Sequence, residues 1–305
     1  MNKENIKAHL GAVIDKDRIL DNEPMKNHTS FKVGGPADFL VLPESRDELA
    51  AVLACCRENE LPFYVMGNGS NLLVRDGGYR GVMIKTRQLD KISVDGEVIT
   101  AEPGALLKDV AEAALAYSLT GMEFASGIPG SIGGAVVMNA GAYGGEMKDI
   151  ISEIEVITET GEIRVLPIED CAMGYRKSIV QENPWYVTRI TLRLARGDAA
   201  AIKATMDDLN LKRKTKQPLE YPSAGSTFRR PEGYFAGKLV QDCGFKGYSV
   251  GGAQVSEKHS GFVINKDNAT AADILKLIGE IQAKVKADFG VDMRTEVIVI
   301  GEPCD

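Results

Sequence analysis

The chain has 305 residues, 44% hydrophobic and 26% charged, with a formal net charge of −7. That length can hold two or three domains with cores of their own, and the acidic balance gives a nucleic-acid role no electrostatic support. No apolar run approaches the roughly 20 residues of a membrane helix, and the polar opening MNKENIKAHLGAVIDKDRIL lacks the apolar stretch of a signal peptide.

Residues 1–30 read as a short helix and a polar connector. A turn then leads to a strand at 37–42. The following helix carries Ser45 and Glu48 as a capping box and Leu49, Val52, Leu53 and Cys56 on one face. Strands at 62–67 and 81–86 complete a β-α-β unit with a glycine-rich turn after its second strand. Short strands follow near 91–94 and 97–101. A helix over 105–118 shows Leu107, Val110, Ala111, Ala114 and Leu115 at helical spacing. After a glycine-rich run come a hairpin (152–158 and 162–167) and a strand at 185–194. A helix at 199–213 leads into the basic stretch LKRKTKQP. The last third reads as a helix near 234–242 and a strand near 261–265. Next comes a helix over 271–289, capped by Thr270 and closed by Gly290, and then a strand at 294–300. The expected class is α+β, with a connector at 1–30, a two-lobed domain at 31–197 (lobes 31–86 and 87–197) and a further α+β domain at 198–305.

Five cysteines stand at positions 55, 56, 171, 243 and 304, without a C-x-x-C pair, and read as reduced thiols of a cytosolic protein. Three histidines, at 9, 28 and 259, lie far apart in sequence, so no metal site is expected. The 32 glycines are the unusual number, because they cluster. In GNGSNLLVRDGG the turn formed by Gly67, Asn68, Gly69, Ser70 and Asn71 follows a strand. Such a turn can converge N–H groups on an anion, or can simply be a tight turn. It is neither a Walker A motif nor G-x-G-x-x-G. SGIPGSIGGAVVMNAGAYGGE holds seven of the eight glycines that fall between positions 121 and 145. Here Gly127, Ile128, Pro129, Gly130, Ser131, Gly133, Asn139, Ala140 and Gly141 would let a flat ligand or a diphosphate approach the main chain, or would pad a packing junction. Ser131 suits a phosphate, and Asn139 with the Ala140 backbone suits a heterocycle edge. Two such loops, neither a Rossmann fingerprint, point to one extended dinucleotide, with noncovalent FAD the natural candidate.

TSFKVGGPADFL, GNGSNLLV, SGIPGSIGGAVVMNAGAYGGE, GYRKS, SAGSTFRRP and TEV occur in this order. Together they closely resemble the UDP-N-acetylenolpyruvoylglucosamine reductase family of bacterial peptidoglycan synthesis, over residues from about 28 to 300. The glycine loops alone resemble only the wider vanillyl-alcohol-oxidase (PCMH-type) flavin fold. The resemblance implies an FAD enzyme reduced by NADPH that passes hydride to UDP-N-acetylglucosamine enolpyruvate, with the C-terminal domain binding substrate. It implies Ser226 as proton donor, and Arg176 and Glu296 beside the substrate carboxylate. Lys216 falls at a substrate-binding position, and Tyr175, Arg230 and His259 lie near substrate-contacting positions. Arg230 stands where some members have asparagine. Only eight residues separate Arg176 from Trp185, so the chain resembles the shorter type of the family, which lacks a lid insertion. A same-fold FAD-dependent alcohol or sugar-acid dehydrogenase and a non-catalytic nucleotide-binding module are the competing readings. Oligomeric state is not legible.

Overall fold

A computed structural model describes residues 2–304. Helices and strands are mixed throughout, and the chain forms two compact units. The first takes residues up to Leu20, Phe39–Asn68 and Val82–Arg213; the second takes Asp21–Asp38, Gly69–Gly81 and everything from Lys214 on. The units are therefore discontinuous where contiguous domains were expected. Burial explains the difference. Phe31, Val33 and Leu73 lie in the core of the second unit, which draws their segments out of the N-terminal third. The expected boundary near 198 instead begins the Ala199–Lys216 helix, whose Ile202 and Met206 belong to a core of the first unit.

The first unit has two cores. In one, the Arg46–Glu58 helix buries Leu49, Val52, Leu53 and Cys56 with Phe39, Val82 and Ile84. Ser45 caps this helix by accepting from the Glu48 backbone N–H at 3.2 Å, while the Glu48 carboxylate pairs with Arg18. Strand Phe63–Met66 runs parallel to strand Tyr79–Lys85, with Phe63 opposite Val82 and Met66 opposite Lys85. The other core lies under a five-stranded antiparallel sheet. Its order is Ile163–Pro167, Ile151–Ile157, Tyr186–Arg193, Val98–Ala101 and Ile92–Asp95. The Leu107–Ala116 helix packs on it through Leu107, Val110, Ala111 and Ala114, the i, i+3, i+4, i+7 stripe read from sequence. The glycine run is not all loop. Ile132–Val137 forms a short helix, because Ile132, Ala135 and Val136 are buried and Ser131 caps it.

In the second unit, strand Ile298–Ile300 pairs in parallel with Leu72–Val74. The final strand is shorter than expected: residues 294–296 instead run beside 227–229. The Ala271–Phe289 helix supplies Ile274, Leu277, Ile278, Ile281 and Val285 to the core. Its first turn leaves little unsatisfied. Thr270 Oγ1 accepts from Asp273 N and Asp273 Oδ2 accepts from Thr270 N, both at 3.0 Å. The Asp76 carboxylate accepts from Ala271 and Ala272 N–H, both at 2.8 Å. Backbone hydrogen bonding, from Thr270 first, holds Asp273 below the ordinary carboxylate range. A depressed carboxyl contributes stability above its unfolded pKa of about 4 and loses it as pH falls through the folded value. Thr270→Ala is expected to cost about 1 kcal/mol at neutral pH. Asp273→Asn is expected to flatten the acid limb below about pH 4. Urea unfolding as a function of pH measures both.

Candidate active site

The first glycine loop begins where strand Phe63–Met66 ends, and in the first unit it meets the second glycine run directly. A Cβ on Gly67 would lie 2.0 Å from Ser131 Oγ, and Asn68 Nδ2 donates to Pro129 O at 2.8 Å. A side chain at position 67 would thus need the Ser131 hydroxyl to turn away from its place at the helix cap. The second run is rigid at this point. Gly130 O accepts from Leu107 N at 3.0 Å, and Ile132 N donates to Ala105 O at 2.8 Å. Ser131, buried, accepts from Gly134 N at 3.4 Å as helix cap, while Gly127, Ile128 and Pro129 reach towards the surface. Gly67→Ala is expected to turn the Ser131 hydroxyl away from its cap, lowering FAD affinity several-fold and stability by about 1 kcal/mol. Flavin fluorescence titration and calorimetry read the two effects. Gly69, Ser70 and Asn71 belong to the second unit, where Gly69 has φ +64 and Asn71 Nδ2 donates to Glu296 O at 3.1 Å.

Asn139 is held by three hydrogen bonds within the chain. It is buried, and its Nδ2 donates to Glu146 Oε2 at 2.9 Å and to Gly174 O at 3.0 Å. Its Oδ1 accepts from Lys148 N at 3.0 Å. The Ala140 N–H is also spent internally, on Ala135 O, and Gly141 opens a tight hairpin with Gly145–Glu146. Gly174 and Lys177 exchange both backbone hydrogen bonds, so Tyr175 and Arg176 occupy the corners of a tight turn, Arg176 at φ +53. Asn139 therefore pins the turn that presents Arg176. The Arg176 guanidinium lies 5.1 Å from the exposed Tyr175 ring, and its backbone O accepts from Gln181 Nε2. Hydrogen bonding from Lys148, then from Asn139, together with the Lys148 and Arg176 charges, holds Glu146 below the usual carboxylate range despite partial burial.

In the second unit, Ser226 and Glu296 fall on neighbouring segments. Thr227, fully buried between Ser226 and Phe228, is held at three points. Its N donates to Gly261 O, its O accepts from Glu296 N, and its Oγ1 accepts from Val263 N, each at 2.9 Å. Phe228 faces Thr295 across the same pairing. Ser226 is exposed and Glu296 half-buried. Gly225, at φ +74, makes the turn before Ser226. His259 is tied in locally: its Nδ1 accepts from Gly261 N at 3.1 Å and its ring meets Phe262 edge-on at 4.9 Å. That acceptor role places the proton on Nε2, and burial pushes the imidazole below its ordinary value, so it is neutral at pH 7. Arg230 folds back on Phe235, 4.1 Å from the ring centroid, with Nε donating to Tyr234 O. Lys216 is exposed at the end of its helix.

One residue was missed in the sequence. Arg213 sits in the basic stretch that also contains Lys216, yet it is only 6% exposed. A Cβ on Gly127 would lie 2.7 Å from its Nη1, so it abuts the second glycine loop within the first unit. Nothing local distinguishes it from Lys212 or Lys214; only tertiary burial does. Among the described residues no group of three or more His, Cys, Asp or Glu side chains gathers to hold a metal. All five cysteines are free.

The first unit fits FAD on two observations: glycine loops that pack closely on one another at Gly67 and Ser131, and a buried, orphaned guanidinium nitrogen beside them. The model of an "FAD binding domain" matches residues 37–166, and that of "UDP-N-acetylenolpyruvoylglucosamine reductase, C-terminal domain" matches 217–300. An alkyldihydroxyacetonephosphate synthase structure shares the fold, with a TM-score of 0.50 at 15% identity, covering 64% of this chain and 41% of that one. Fold and site define a flavoprotein oxidoreductase with an added C-terminal domain. The UDP-N-acetylenolpyruvoylglucosamine reductase of Caldanaerobacter subterraneus subsp. tengcongensis is 54% identical, over 96% of this chain and 97% of that one. That of Clostridium kluyveri is 53% identical over 99% and 100%. The crystal structure of the Thermus caldophilus enzyme (MurB) matches with TM-score 0.79 and 35% identity, over 92% of this chain and 97% of that one. The chain belongs to the UDP-N-acetylenolpyruvoylglucosamine reductase family.

Proposed function

We propose that this protein reduces the enolpyruvyl ether of UDP-N-acetylglucosamine enolpyruvate to UDP-N-acetylmuramate, using NADPH, in the cytoplasmic assembly of peptidoglycan precursors. The observation that carries this reading is the match to reductases of that name along nearly the whole of both chains. FAD, when bound, would supply the hydride chemistry that links NADPH to the enolpyruvyl group.

The chain's own residues supply binding, charge and a proton. Glycines 67, 69, 127, 130 and 133 with Ser131 line the cofactor; the close approach of Gly67 to Ser131 and the anchoring of Gly130 support this assignment. Arg176 offers a planar fork to the substrate carboxylate as negative charge develops there. Glu296, half-buried, completes that charge environment as a hydrogen-bonding carboxyl group. The Ser226 hydroxyl gives its proton to the carbon bearing the ether oxygen. A serine is a weak acid, so the donation needs a fixed position, which the three-point anchoring of Thr227 supports. Lys216 meets the substrate diphosphate. Arg230, Tyr175 and His259 lie at the margin, His259 as a neutral donor through Nε2.

Incubating the purified, FAD-loaded protein with the enolpyruvyl substrate and NADPH tests the reading by mass spectrometry. The expected product is heavier than the substrate by two hydrogens. Oxidation of an alcohol or sugar acid, with no change in the enolpyruvyl compound, would favour the same-fold dehydrogenase instead.

A further inference from the structure

Arg213 is a buried cation without a counter-ion among the described residues. Its residue is 6% exposed, and Nη1 has no hydrogen-bond partner. The one aromatic neighbour, Tyr143, stands at a hairpin tip with φ +53, its ring centroid 5.7 Å from the guanidinium carbon. Burial lowers the Arg213 pKa, and Tyr143 opposes it electrostatically and through a side-chain hydrogen bond; among the described residues no carboxylate acts on the group. A tyrosine ring and its neutral hydroxyl can hold a cation but cannot neutralise it or accept from every donor of the fork. A charge desolvated without a partner is expensive to keep, and a fold that keeps one needs a use for it.

The surroundings indicate that use. Nη1 points at the second glycine loop. A Cβ on Gly127 would lie 2.7 Å from Nη1 and 2.3 Å from Asn210 Oδ1, so a side chain there would displace the guanidinium from its present place. Gly127 and Tyr143 lie inside the matched FAD-binding region, while Arg213 falls between that region and the matched C-terminal domain. FAD brings negative charge in two forms: the diphosphate, always charged, and the isoalloxazine ring, which gains charge on reduction.

We propose that Arg213 is a charge-holding residue of the flavin site, its buried guanidinium taking from bound FAD the counter-charge the protein does not provide. This rests on the flavin reading above. The role is electrostatic and positional; the proton and the hydride of the reaction do not pass through Arg213.

Arg213→Met and Arg213→Lys in the full-length protein test it, with FAD and riboflavin titrated by fluorescence quenching, the midpoint potential followed spectroelectrochemically, and melting of the apoprotein recorded. Removing an uncompensated charge should leave the Met apoprotein melting no lower than wild type, a result a purely structural arginine would not give. FAD affinity should fall at least about tenfold in one redox state, with lysine restoring part of the loss. Loss with oxidised FAD but not with riboflavin assigns the diphosphate. Unchanged affinity for oxidised FAD with a lower potential, about 30 mV per tenfold for a two-electron couple, assigns the reduced ring. Wild-type affinity and potential in a folded Met variant would overturn the proposal, as would a destabilised apoprotein with equal loss in both variants. Should the Met variant fail to fold, the Lys variant decides: weakening of one state by about threefold or more supports the proposal, and wild-type values in both states overturn it. A wild-type protein that binds no FAD would remove the functional reading and this inference with it.

Discussion

Ser226→Ala should bind FAD and be reduced by NADPH as the wild type is, yet turn over the enolpyruvyl substrate about 10²–10⁴-fold more slowly, the usual range for removing a positioned acid. The separation of effects follows from the local structure. Ser226 is exposed, and the change deletes one oxygen from a side chain whose neighbour carries the structural load. Thr227 keeps its bonds to Gly261, Glu296 and Val263, so stability should change by no more than about 0.5 kcal/mol. Rapid-mixing absorbance separates the half-reactions: flavin bleaching by NADPH at the wild-type rate, and reoxidation by substrate slowed. Reoxidation at the wild-type rate would remove Ser226 from proton transfer.

Arg176→Met should lower kcat/KM about 10²–10³-fold, the range for losing one fixed charge donor at a developing anion. Methionine approximates the length of the arginine stem and meets the same backbone demand at φ +53, so the turn between Gly174 and Lys177 should persist. FAD affinity should hold. Arg176→Lys should recover only part of the loss, because a point charge replaces a bidentate fork. Steady-state kinetics with substrate varied at saturating NADPH would show it. A lysine variant equal to wild type would mean that charge alone, without the planar geometry, is what the substrate carboxylate needs.

The legible parts of this molecule are those whose determinants are close in sequence. The Ala271–Phe289 helix has its cap at Thr270, its apolar stripe and its αL glycine at 290 all within one window, and its ends fall where the sequence puts them. The Arg46–Glu58 helix is similar, with Ser45 as cap. The GYRKS and SAGSTF motifs bring with them a resemblance that the relatives bear out along nearly the whole chain. What local pattern cannot carry is pairing at long range. Leu72–Val74 finds its partner at Ile298–Ile300, and Phe31, Val33 and Leu73 join a core made mostly of C-terminal residues, so compact units assembled from alternating segments read as contiguous blocks.

The glycine run hid more. Two glycines in the Ile132–Val137 helix lower its helix propensity enough to look like loop, and burial of Ile132, Ala135 and Val136 overrides that. Asn139 reads in the sequence as suited to a heterocycle edge, and its partners within the fold lie too far along the chain to be legible there. Its three hydrogen bonds go to Glu146, Gly174 and Lys148. Arg213 is the converse case, a cation in a basic stretch that tertiary packing removes from water. Electrostatic roles of this kind depend on burial, and burial of one lysine or arginine among several is not written in their spacing.

The central claim is that one bound flavin links NADPH oxidation to reduction of the enolpyruvyl ether. The most direct measurement is anaerobic: reduce the FAD-loaded protein with NADPH, remove the excess, then add UDP-N-acetylglucosamine enolpyruvate and follow flavin absorbance. Bleaching followed by full recovery on substrate addition is the predicted result. Bleaching that persists when substrate is added would contradict the assigned acceptor, and a protein that shows no flavin absorbance after incubation with FAD would contradict the cofactor itself.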